Sequence, residues 1–161
     1  DSVGAFNVIE HVEQPERLVM EMVRVVRVGG EVVVSAPNFL RFLGWRDYHP
    51  RMRGVRNKWT NGRLLWRKWM VMRRRKGDIR FDRMRPIDRQ PFQPDDDAII
   101  VTNLVEMRGL LRTCGCRVLV LECTDRYIPS FLNRLANLTP LKYGVGNAFL
   151  VARKSREPVS N

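Results

Sequence analysis

A chain of 161 residues with 44% apolar content can bury one core, so a single folded domain is the starting expectation. No apolar run reaches the ~18 residues that cross a bilayer, and no charged-then-apolar leader opens the chain, which leaves the cytoplasm as the default location. The net charge of +12 is concentrated: residues 41–89 hold 17 Lys/Arg against 4 Asp/Glu, residues 1–40 hold 3 against 6, and residues 90–161 hold 9 against 7.

Residues 1–8, "DSVGAFNV", carry no charge after Asp1 and read as a strand covered on both faces. Pro15 then opens a helix at the position where its missing N–H costs nothing, with Glu13 and Glu16 near the positive end of the dipole. Leu18, Met22, Val25 and Val26 form its apolar stripe, and Gly29-Gly30 ends it. "EVVVSAP" (31–37) reads as a second, fully buried strand, which completes a right-handed βαβ unit.

Residues 39–95 form an insertion far longer than an ordinary strand-to-helix connection. Within it, "TNGRLLWRKWMVMRRRKG" (60–77) predicts an amphipathic helix. Thr60 or Asn61 would cap it, with Leu65, Trp66, Trp69, Met70 and Met72 on one side and Arg63, Arg67 and Arg74 on another. "RPIDRQPFQPDDD" follows as a proline-punctuated return loop. Such an insertion can act as a lid over an acceptor, lie on an anionic membrane, or grip nucleic acid through phosphate contact and stacking; it can also be a solvated loop.

The second ordered unit spans 96–154. Asn103 and Glu106 suit a capping box, and Met107, Leu110, Leu111 and Cys114 mark one helix face that Gly115 stops. "RVLVLEC" (117–123) and "NAFLVAR" (147–153) are strands, the last inserted antiparallel, with a short helix possible in "PSFLNRLANL" between them. Residues 155–161 are a tail. Cys114, Cys116 and Cys123 are odd in number and lack Cys-x2-Cys spacing, so they read as buried thiols.

The ordered set Glu10-His11-Val12, Pro15, "RVVRVGG" (24–30) and Pro37-Asn38, with "TNLVEMRGLLRTCGCRVLVLE" and "GNAFLVARK" later, resembles the carboxy-terminal half of the class I S-adenosylmethionine-dependent methyltransferases, the type 11 group. Two positions depart from that pattern: Val28 stands where a proline usually precedes Gly-Gly, and Gln14 where an acidic residue precedes the helix-starting proline. The resemblance covers about residues 1–38 and 100–154. It implies an α/β class, specifically a partial Rossmann-like sheet, mostly parallel with a final antiparallel strand. The family's Gly-x-Gly cofactor loop and ribose-holding acid have no counterpart here, so the chain is expected to be a fragment that supplies the later half of a cofactor pocket. It also implies S-adenosylmethionine as cofactor and a small-molecule methyl acceptor, and places Asn7, Val8 and His11 against the cofactor.

Asn38 and Trp45 are the expected acceptor-binding residues, because open α/β sheets bind ligands at their carboxyl edge. Tyr48 and His49, in "WRDYHP", are the acid–base candidates. Glu10 beside His11 offers two metal-ligating side chains, but one adjacent pair without further ligands does not make a centre, and no metal is expected. The alternative function is a non-catalytic module that binds anionic membrane, or less readily nucleic acid, through the basic insertion.

Overall fold

A computed structural model describes residues 1–44, 47–74 and 79–155, with Arg74 described by its backbone alone. The elements run β1 (Ser2–Phe6), α1 (Pro15–Val25), β2 (Glu31–Pro37), α2 (Val55–Arg74), α3 (Leu104–Thr113), β3 (Cys116–Thr124), α4 (Ser130–Asn137) and β4 (Asn147–Lys154). The sheet order is β1-β2-β4-β3. β1 and β2 pair in parallel, and β4 runs antiparallel to both β2 and β3, so three strands point one way around one reversed strand. The last strand is thus antiparallel, as its sequence context suggests. "Mostly parallel" describes strand direction only, because one of the three neighbour pairings is parallel.

One core joins α1 and α3 to the inward positions of the sheet: Val19, Met22, Val23, Leu104, Met107, Leu110 and Leu111 pack with Ala5, Val32, Val34, Ala36, Leu150 and Ala152. Inward and outward residues alternate along β2, so it is not buried on both faces, and β1 is mostly exposed. The outward positions explain this difference. Phe6, 59% exposed, lies beside Gly4, and a Cβ on that glycine would meet the Phe6 ring. No described strand pairs with the outer edge of β1.

The buried stripe of α1 is Pro15, Val19, Met22 and Val23, with Val25 exposed. The helix stops before the glycines because Val26 turns extended to place its side chain in the core. Gly29 then takes a φ of 87° in the turn that leads to β2, a conformation costly for any residue with a Cβ. α3 follows its sequence pattern closely: the Asn103 side chain accepts the Glu106 N–H and donates to the Glu106 carboxylate, and Gly115 at φ 83° ends the element. All three cysteines are free and buried, and burial pushes the thiols of Cys114 and Cys123 up to about 11 and about 12.

α2 begins at Val55, just after Gly54 at φ 86°, rather than near Thr60. Thr60 and Asn61 therefore lie inside the helix. Thr60 donates back to the Arg56 carbonyl, while the buried Asn61 amide is shared among the carbonyls of Phe39, Arg41 and Arg51. Leu65 faces a second core with Phe39, Leu40, Met52, Val101 and Val105, and Trp69 and Met72 pack at its margin. The insertion is therefore docked on the sheet unit through its own core.

Candidate functional site

The parallel strands deliver their carboxyl ends to one edge of the sheet, where a cleft of about 450 Å³ opens. Its walls include Asn7 after β1, Pro37 at the end of β2, Thr124 and Asp125 at the end of β3, and Gly146-Asn147 at the start of β4. The return loop of the insertion closes the other side with Tyr48 and Gln93 to Asp95. The size is within the range of small-molecule sites.

Two features make this edge distinct. Asn7 (φ 52°) and Asp95 (φ 63°) are the two non-glycine residues with left-handed backbone among those described, and both line the cleft. Asn and Asp tolerate that conformation better than other side chains, and here it lets the chain turn sharply away from β1 and around the loop. The second feature is a buried charge network at the cleft wall. Arg41 Nη2 donates to Asp125 at 2.6 Å, Arg41 Nε lies 3.3 Å from Asp47, and Lys58 Nζ lies 2.7 Å from the other Asp47 oxygen. It clamps the start of the insertion to the end of β3. Gly146 permits the closeness of that wall, since a Cβ there would fall 2.1 Å from the Thr124 carbonyl oxygen.

The sequence-derived residues separate clearly. Asn7 and Tyr48 line the cleft. The Tyr48 hydroxyl donates to Asp95 at 2.6 Å, and burial together with that carboxylate raises its pKa, so the phenol stays protonated. Val8 is half-exposed beside Asn7 but does not line the cleft. His11 turns toward Glu10, Asp95 and Asp97 instead. Asn38 is wholly buried and its amide donates to the Tyr143 and Val145 carbonyls, so its donor capacity serves the fold rather than an acceptor. His49 is buried edge-on against Phe39, its Nδ1 accepts the Arg51 N–H, and burial lowers its pKa. Trp45 lies outside the described residues.

The sequence points to Glu10 with His11 but not to Asp95, which the fold brings to them. The Glu10 carboxyl is buried, and burial raises its pKa to about 7. The run Asp95-Asp96-Asp97 after a proline-rich loop is the available signal, but Glu10 and His11 lie more than 80 residues away in sequence. No family model matches the chain, and no curated protein matches it.

Proposed function

We propose that the chain is the acceptor-side part of an S-adenosylmethionine-dependent methyltransferase that acts on a small molecule. The observation that carries this reading is the cleft at the carboxyl ends of β1 and β2, in a sheet whose reversed strand β4 lies between β2 and β3. The residues present suit one side of such a pocket. Asn7 turns the backbone at the strand end, the unpaired edge of β1 leaves room for a further strand, and the cleft holds polar groups from four segments.

S-adenosylmethionine supplies a methyl group already activated by its sulfonium, so the work left to the protein is alignment. Tyr48 stays protonated and is committed as a donor to Asp95, so its oxygen is available to accept from a donor group on the acceptor. The buried Arg41–Asp125 pair fixes the far wall.

A second reading has its own observation. On α2, Val55, Trp59 and Trp66 recur at helical spacing and are 86%, 71% and 62% exposed, with the exposed Arg56, Arg63 and Arg67 beside them. An apolar, tryptophan-bearing stripe flanked by cations suits the surface of an anionic membrane. The two readings are compatible, because the cleft and the stripe involve different residues. Equilibrium dialysis of labelled S-adenosylmethionine and vesicle sedimentation, each at low and high salt, test them: cofactor binding should change little with salt, whereas lipid binding should weaken steeply. Absence of saturable S-adenosylmethionine binding at either salt would leave only the second reading.

A further inference from the structure

The return loop of the insertion is stitched to the turn after β1. The amides of Ile99 and Ile100 both donate to the Glu10 carbonyl, at 2.8 and 3.1 Å. This brings the acidic run of the loop onto Glu10 and His11. Asp96 is already satisfied, since its carboxylate takes two bonds from Arg89 and one from the Gln93 N–H. Asp95 and Asp97 face the imidazole. His11 Nε2 lies 3.8 Å from Glu10 Oε1 and 3.9 Å from Asp95 Oδ1, and Nδ1 lies 3.2 Å from Asp97 Oδ2.

Glu10 is the anomaly in this cluster. Its side chain is 0% exposed, yet neither carboxylate oxygen has a hydrogen-bond partner. A buried carboxylate without donors is costly, and one that also faces two other carboxylates is costlier still. One imidazole cannot neutralise three carboxylates. The ligand atoms of Glu10, His11 and Asp95 all lie within 4.8 Å of one another. A cation among them would satisfy the orphaned oxygens and offset the like charges together.

We propose that Glu10, His11 and Asp95 bind a divalent transition-metal cation. Bonds of about 2.0–2.2 Å would set neighbouring ligand atoms about 3–3.5 Å apart, so the two contacts of His11 Nε2 need to close by less than about 1 Å, and atoms as far as 4.8 Å apart by about 1–2 Å. One outer partner is in place: the Tyr48 hydroxyl holds Asp95 Oδ2 and leaves Oδ1 toward the site, where His11 Nε2 faces the Glu10 and Asp95 carboxylates. His11 is 30% exposed, which gives a cation a way in from solvent. One imidazole with carboxylates favours Mn²⁺ or Zn²⁺ over Mg²⁺ and Ca²⁺. The proposal concerns a cluster beside the cleft and holds whether or not the cleft binds S-adenosylmethionine.

The test is a titration of the chain with Mn²⁺, followed by the electron paramagnetic resonance signal of the free aqueous ion. Mn²⁺ is chosen because it competes poorly for the thiols of Cys114, Cys116 and Cys123. One saturable site is expected, displaced by Zn²⁺ but not by an equal concentration of Mg²⁺. Glu10→Gln and Asp95→Asn should each weaken it by at least about tenfold, while Asp88→Asn, at an exposed carboxylate elsewhere in the insertion, should leave it unchanged. Thermal melts in chelator show that the variants fold, and Glu10→Gln removes a buried charge without changing shape. Absence of a saturable site, undiminished binding in folded Glu10→Gln and Asp95→Asn, or equal displacement by Mg²⁺ would overturn the assignment.

Discussion

The hydroxyl of Tyr48 donates a 2.6 Å hydrogen bond to Oδ2 of Asp95 across 47 residues of sequence, and so joins the two ends of the insertion at the mouth of the cleft. Tyr48→Phe removes the donor and leaves a part-buried carboxylate oxygen short of a partner. A loss of about 1–2 kcal/mol is expected, read as a lower midpoint in urea. In an alkaline titration of tyrosinate absorbance, the difference between the parent and Tyr48→Phe should stay flat through pH 10, because burial and Asp95 both hold the proton on the phenol.

Glu10 gives the pH dependence. Its folded pKa is raised from 4.5 to about 7 by burial, so the folded chain holds that proton more tightly than the unfolded one. The stabilisation is fully present below pH 4.5 and is lost as pH rises through about 7. In chelator, Glu10→Gln should therefore be more stable than the parent at pH 8, by on the order of 3 kcal/mol, with the difference shrinking toward pH 4.5. Denaturant midpoints across this range check it; equal midpoints at pH 8 would mean that Glu10 is not desolvated.

Arg41 holds the wall between the insertion and β3. Its side chain is 4% exposed, and Asp47 and Asp125 are each 3% exposed. Arg41→Ala leaves Asp125 without its cation, and breaking such a buried pair from one side costs about 3–5 kcal/mol. Urea unfolding should show this loss, and proteolysis within 39–55 should become faster as the insertion undocks.

Trp59 projects away from the second core, while the Trp66 ring packs on Trp69 at its margin, with ring centroids 5.1 Å apart. In the combined pair of substitutions, Trp59→Ser should cost at most about 0.5 kcal/mol, and Trp66→Ser about 0.5–1.5 kcal/mol through the lost ring contact. The same pair should abolish sedimentation with phosphatidylglycerol vesicles if the membrane reading holds. Unchanged sedimentation would place any lipid contact elsewhere.

The legible parts of the fold were those with local signals. Pro15, the run 31–37, the Asn103–Glu106 box and Gly115 each mark their element through short-range chemistry, and the structure follows them. Thr60 and Asn61 look like caps, which sets the expected start of α2 five residues late. Asn61 instead binds carbonyls of three residues outside the helix, and only the docked insertion makes that visible. The site was less legible. Asn7 and Tyr48 reach the cleft, but Asn38 and His49, polar residues in promising positions, are consumed by backbone partners and packing. Glu10 and Asp95 meet only because Ile99 and Ile100 bond the Glu10 carbonyl, and no short-range pattern encodes that contact.

The most direct test of the central claim is to map amide chemical shifts of the ¹⁵N-labelled chain during titration with S-adenosylhomocysteine. The methyltransferase reading predicts saturable shifts at Asn7, Asp95, Thr124, Asp125 and Asn147, the residues around the cleft. One side of a pocket should bind weakly, with a dissociation constant on the order of 1 mM, about −4 kcal/mol. Shifts that never saturate, or that gather away from this edge of the sheet, would contradict it.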